Sequence, residues 1–150
     1  MTKKSNAVES LISAQQNCDK VVKNSVNPYH GNKYADLQSV IEACKSSLHD
    51  NGFALLQTVG KDEHGSFVET KLQHFDDDIG VNSAFSSKVY LSLSKTDMQA
   101  LGSAITYARR YGLISLMGLA PEDDDGNATV QTSSPKIKSQ PPQQQSNGGL

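Results

Sequence analysis

The chain has 150 residues, a formal net charge of −2 from 14 basic and 16 acidic residues, and 36% hydrophobic residues. That length suits one domain, and the near-neutral charge excludes a histone-like basic binder but not a locally basic groove. No apolar run approaches the roughly 18 residues of a membrane span, and the opening residues lack a signal peptide, so we expect a cytoplasmic protein with no membrane contact. Cys18 and Cys44 are the only two cysteines and lack CxxC spacing, so neither a disulfide scaffold nor a zinc site is indicated.

The first fifty residues predict two helices separated by a loop. Apolar residues at helical spacing predict the first helix over roughly residues 5–24, and the turn residues of 27–32 predict a loop. Asp36 is the expected N-cap of the second helix, which Asn51 and Gly52 should end. The apolar stripe expected along this second helix is Leu37, Val40, Ile41, Cys44 and Leu48.

After residue 52 the pattern becomes that of strands. Four short apolar or alternating runs, separated by polar turns, are candidate strands: 53–59, 68–74, 81–85 and 89–93. A last helix is expected from about Asp97 to Met117, with Thr96 and Gln99 at capping-box spacing. These elements predict an α+β fold, in which helices pack on one face of an antiparallel sheet of three to four strands.

Composition divides the chain after Asn127. Of the 23 residues 128–150, 17 are Gln, Ser, Thr, Asn, Pro or Gly, and such a segment cannot bury enough apolar surface to fold. We therefore expect one folded unit within residues 1–127 and a disordered tail over 128–150.

A narrow polar stripe marks the last helix. At 100° per residue, Gln99, Ser103, Thr106 and Arg110 fall within about 60° of one another. Arg109 and Arg110 supply planar guanidinium groups suited to phosphate oxygens. The alternative is a buried helix with one solvated edge.

Tyrosines stand beside basic residues in two places, the loop before the second helix and the last helix. Single-stranded nucleic acid is commonly held by a basic groove with aromatic faces for its bases, whereas tyrosines at helical spacing can equally belong to a core or an oligomer interface. Lys88 and Lys95, which flank a strand, could extend such a groove. The candidate DNA-binding residues are Lys33, Tyr34, Lys88, Lys95, Ser103, Thr106, Tyr107, Arg109, Arg110 and Tyr111.

Catalytic patterns are mostly absent. The chain has no GxSxG, GxxxxGK[ST] or HExxH motif, and its four His are scattered. The carboxylates of 122–125 could hold Mg²⁺, but an acidic exit from the core or a contact to a neighbouring subunit fits them better, because they lack a second ligand cluster. We expect neither an enzyme nor a cofactor or metal.

Several of these segments together resemble the phage essential-recombination-function (Erf) family. The most specific is the run GSAITYARRY over Gly102–Tyr111, followed by an acidic stretch that closes in Asp-Gly-Asn at Asn127. Asn27-Pro28-Tyr29 and the strand holding Thr70 and His74 also fit the family. The resemblance covers roughly residues 27–127.

The resemblance implies an ATP-independent annealing protein of homologous recombination, with a sheet-plus-helix core that assembles into a homo-oligomeric ring or filament. Its partners would be single-stranded DNA and the complementary strand. The tail is a candidate contact for a host single-strand-binding protein, and a partner exonuclease would supply the single strands. The alternatives are a protein that protects single strands without pairing them, a Mg²⁺-dependent nuclease using residues 122–125, and a structural protein whose tyrosine-rich helix is an oligomer interface.

Overall fold

A computed structural model of the chain describes residues 6–75 and 83–121. The predicted tail 128–150, the acidic run 122–125 and the predicted turn 76–78 lie outside the described residues. The described residues form three helices, a short two-stranded ribbon and a three-stranded sheet.

Helices α1 (Ala7–Gln16) and α2 (Leu37–Asp50) pack against each other. As predicted, Asp36 caps α2: its Oδ1 accepts a hydrogen bond from the backbone N–H of Ser39 at 2.9 Å. Helix α1 is shorter than the predicted 5–24. It ends at Gln16, because Asn17 leaves the helical dihedral angles (φ −103°, ψ 7°) and its side-chain amide donates to Ser13 O at 2.8 Å; the chain then continues without helical structure.

The predicted loop 27–32 is the turn of a two-stranded ribbon that the sequence did not indicate. Strands β1 (Ser25–Val26) and β2 (Lys33–Tyr34) pair antiparallel, and the turn between them closes with a 2.8 Å bond from Asn27 N–H to Asn32 O.

The main sheet is an antiparallel meander of β3 (Phe53–Asp62), β4 (Gly65–His74) and β5 (Ser83–Tyr90), in that order. Strand β5 is one strand where the sequence suggested two, because the polar residues 86–88 continue the ladder opposite 69–71 of β4 instead of interrupting it.

Helix α3 (Met98–Met117) lies on one face of the sheet, against β4 and β5. Its N-cap is Asp97, whose Oδ1 accepts from Ala100 N–H at 2.7 Å, so the predicted cap at Thr96 is displaced by one residue. Helix α2 packs on α3 and β3. The core between these layers includes the buried residues Leu48, Phe53, Leu72, Leu113 and Met117.

The opposite face of the sheet carries the alternate residues of each strand, many of them exposed. The structure thus confirms the predicted α+β fold with helices on one sheet face. Among the described helices, none combines the length and hydropathy that crossing a membrane requires.

Candidate nucleic-acid interface

The β1–β2 ribbon and α3 meet at the side chain of Arg110. Its guanidinium carbon lies 4.7 Å from the ring centroid of Tyr34, 5.5 Å from that of Tyr107 and 5.1 Å from that of Tyr111. Aromatic faces attract a guanidinium electrostatically and restrict its orientation. Because the N–H donors of a guanidinium lie in its plane, stacking on a ring face leaves their edge available to an oxyanion.

A surface groove of about 480 Å³ runs beside this cluster. It is lined by Tyr34, Gln99, Gly102, Ser103, Thr106, Tyr107 and Arg110, and we call it the tyrosine–arginine groove. The polar stripe predicted from helical spacing therefore lies in one groove. Arg110 is the one charged side chain among these lining residues, so the local charge is positive although the chain is net acidic.

The two helix tyrosines present their rings to solvent. The ring centroids of Tyr107 and Tyr111 are 4.3 Å apart, and the residues are 55% and 44% exposed, so neither belongs to the core of a single chain. A hydrogen bond with Tyr111 raises the pKa of Tyr107, because it favours the protonated phenol. Tyr107 is therefore neutral at physiological pH and adds no negative charge beside Arg110.

Arg109 points away from this groove. Its Nε donates to Gln57 Oε1 at 3.0 Å, while Gln57 Nε2 donates to Arg109 O at 2.8 Å and to Thr70 Oγ1 at 3.0 Å. Arg109 thus joins α3 to the sheet through Gln57. It also lines a second groove of about 650 Å³ between α2 and α3, where the carboxylates of Asp36 and Glu42 balance the charges of Arg109 and Lys45.

The structure therefore separates two residues that the sequence placed in one site. Neighbouring residues on a helix point about 100° apart, and this angle is the signal that could have divided the arginines beforehand. Thr106 lines both grooves and stands between them; its hydroxyl donates to Gly102 O at 3.0 Å.

The three candidate lysines lie in three different parts of the fold and do not form one cluster. Lys33 is exposed on β2 beside Tyr34, and Lys95 is exposed in the connection between β5 and α3. Lys88 belongs to the sheet face opposite α3, with its Nζ 3.4 Å from Asp62 Oδ2 and 4.4 Å from the ring centroid of Phe67. Lys88 is thus on the far side of the sheet from Arg110.

Thr70 and His74, the strand residues noted in the family resemblance, are buried and do not line the tyrosine–arginine groove. Thr70 accepts the Gln57 hydrogen bond beneath α3, and the His74 ring packs 4.8 Å from that of Phe53. Within residues 6–75 and 83–121, no three His, Cys, Asp or Glu side chains are grouped to hold a metal ion. The acidic run 122–125 lies outside those ranges.

Comparison with known proteins places this architecture in a family. No curated protein and no solved structure matches the chain significantly. The family model of the ERF superfamily matches residues 8–149, a span that includes the ribbon, the whole sheet and α3. The chain therefore belongs to the ERF superfamily.

Proposed function

We propose that the protein binds single-stranded DNA and anneals complementary strands without ATP during homologous recombination. Membership of the ERF superfamily supports a general role in phage recombination by single-strand annealing. The observation that carries the finer proposal is the clustering of Arg110 with three tyrosines beside an open groove.

In this proposal Arg110 binds a phosphate of the strand. Its edge donors meet the phosphate oxygens, and the hydroxyl of Ser103 donates to phosphate or sugar. Thr106 would make the same contact only by giving up its hydrogen bond to Gly102 O. The exposed rings of Tyr107 and Tyr111 offer stacking surfaces to bases. These contacts do not read sequence, which suits a protein that must pair any two complementary strands.

The lysines and Arg109 have secondary parts in the proposal. Lys33 and Lys95 attract the strand at longer range, since both are exposed. Arg109 acts mainly by fixing α3 on the sheet. Lys88 could reach the same strand only if that strand passed around the edge of the sheet.

Annealing of this kind requires no bond chemistry in the protein. Base-pair formation releases on average about 1.4 kcal/mol per step, so the protein needs only to neutralise phosphates and leave Watson–Crick edges free. A homo-oligomeric ring or filament would repeat a weak site many times and so raise the affinity. We further propose that residues 1–127 form this annealing unit, and that the tail 128–150 contacts a host single-strand-binding protein after an exonuclease has exposed the strands.

The test is fluorescence-monitored annealing of two complementary oligonucleotides without ATP, at several salt concentrations, with a non-complementary pair as control. We expect salt-sensitive acceleration with the complementary pair alone. Tight binding without acceleration would instead make the protein a protective binder, and the absence of both would refute the proposal.

The site is tested by Arg110→Ala against Lys71→Ala, which removes one positive charge from the opposite sheet face. Log affinity falls as log salt concentration rises, and loss of one phosphate contact should make this slope shallower by about 0.7–1. We expect this change in the Arg110 variant and not in the Lys71 variant. Arg110→Lys should keep the slope, because it keeps the charge, but should bind less tightly, because an ammonium lacks the planar fork. Equal slopes for the Arg110 and Lys71 variants would exclude the tyrosine–arginine groove as the binding site.

A further inference from the structure

The tip of the β1–β2 ribbon holds an aromatic ring in solvent. Tyr29 is 90% exposed, yet the turn that carries it is ordered by local hydrogen bonds. The Tyr29 N–H donates to Asn27 Oδ1 at 2.9 Å, and Gly31 N–H donates to Asn27 O at 2.8 Å. Gly31 has a φ of 68°, which favours glycine and completes the reversal of the chain. The Tyr29 ring is therefore held in solvent by a hydrogen-bonded turn.

The same ribbon is fixed to the tyrosine–arginine groove at its other end. Tyr34 of β2 stacks on Arg110, and Ser25 of β1 donates from its hydroxyl to Asp36 Oδ2 at 3.0 Å. At about 3.3 Å per residue, the tip stands roughly 10–15 Å from the ribbon base. That distance corresponds to about three or four nucleotides at the 3.4 Å rise of a stacked strand.

The charge of the ribbon also suits a polyanion. Residues 24–35 include Lys33 and no Asp or Glu. The ribbon itself therefore adds no negative charge between its base, where Asp36 accepts the Ser25 hydrogen bond, and Tyr29.

We propose that Tyr29 is a second contact for the same single strand, on which a nucleobase stacks while Arg110 holds a phosphate. This inference rests on the proposed function and extends it from one groove to a path along the ribbon. The two contacts differ in chemistry: Arg110 binds through charge and Tyr29 through a π-face, which accepts every base. They should therefore respond differently to salt and to removal of the bases.

The absence of Trp from the chain allows a direct test. Tyr29→Trp introduces a single indole at the ribbon tip, whose fluorescence a stacked base quenches. The full-length variant is titrated with a thymidine oligonucleotide and with an abasic oligonucleotide of equal length, and binding is followed independently by anisotropy of an end label. We expect quenching at saturation with the first and little with the second.

Affinity measurements on Tyr29→Ala and Tyr29→Phe complete the test. Loss of one stacked base should weaken binding by roughly 5- to 100-fold in the Ala variant, with an unchanged salt slope, and the Phe variant should bind like the wild type. A saturated complex with unquenched indole emission would overturn the inference while leaving the Arg110 site intact. A shift of the indole emission with protein concentration in the absence of DNA would also overturn the inference, because it would show that the ribbon tip contacts another copy of the chain. Failure of the wild-type chain to bind any oligonucleotide would refute the proposed function and this inference together.

Discussion

Gly112 provides the sharpest test of how α3 lies on the sheet. A Cβ built on this residue would lie 2.6 Å from Thr70 Oγ1 and 3.7 Å from Val89 Cγ2. Thr70 is fully buried and accepts a hydrogen bond from Gln57, so its side chain cannot move aside without disturbing the link to Arg109. Gly112→Ala should therefore push α3 away from β4.

The change in the free energy of unfolding follows from two destabilising effects and one stabilising effect. Overpacking a core costs about 1–3 kcal/mol, and loss of the Gln57–Thr70 hydrogen bond costs roughly 0.5–1.5 kcal/mol. Alanine regains about 1 kcal/mol of helix propensity over glycine. The free energy of unfolding should fall by about 0.5–3.5 kcal/mol; a fall of about 2 kcal/mol moves the urea midpoint down by roughly 1 M for an m-value of about 2 kcal/mol/M.

Gly102→Ala is the matched control, since Gly102 lies in the same helix, is exposed and has no atom within 4 Å of a built Cβ. Urea unfolding at equal protein concentration should show this variant unchanged or stabilised by up to about 1 kcal/mol. A Gly112 variant as stable as the Gly102 variant would refute the close approach of α3 to Thr70. The double variant Thr70→Ala, Gly112→Ala should lose less free energy of unfolding than the two single variants lose together, because the colliding hydroxyl is removed.

Two further predictions concern ionisable groups on α2 and beside it. Hydrogen bonds from the Ser39 backbone and the Ser25 hydroxyl lower the pKa of Asp36 below its ordinary value of 3.8, so the carboxylate stabilises the fold above that value and loses its contribution as the pH falls through the lowered pKa. Asp36→Asn should therefore unfold at a lower urea concentration than the wild type at pH 7, and the difference between the two midpoints should close as the pH falls through the lowered pKa of Asp36. A difference independent of pH would contradict the role of the capping charge. Burial raises the pKa of Cys44 to about 12, and burial also raises that of the half-buried Cys18. A thiol reagent at pH 8 should therefore leave Cys44 unmodified in the folded protein and modify both thiols in denaturant; rapid reaction of a Cys18→Ser variant in the folded state would show that Cys44 is accessible.

Because Arg109 and Arg110 lie in different surroundings, a loss of DNA binding has a different meaning for each of them. An Arg109→Ala variant would break the link to Gln57 as well as remove a charge, so reduced DNA binding in it would reflect displacement of α3 at least in part. Of the two arginines, Arg110 alone lines the open groove and contacts the tyrosines. Arg109 and Arg110 should therefore be replaced one at a time, and each variant should have its own unfolding curve, since a variant lacking both arginines would combine the two effects.

Features that depend on residues a few positions apart were determined by the sequence. The N-cap at Asp36, the end of α2 near Asn51 and the polar stripe from Gln99 to Arg110 all follow from local hydrogen bonding and helical spacing, which act within one or two turns. The alternation of β4 likewise follows from the pleat of a single strand. The Erf resemblance also came from such a contiguous segment.

Features that depend on residues far apart in the chain were decided only by the tertiary structure. Tyr34 stacks on Arg110 because the ribbon and α3 pack together, and neither segment alone encodes that meeting. Arg109 turns towards Gln57 because β3 lies beneath that side of the helix. The continuity of β5 through its polar middle is set by the β4 ladder beside it. In each case a partner brought close by packing, and not the local pattern, supplies the free energy that selects the conformation.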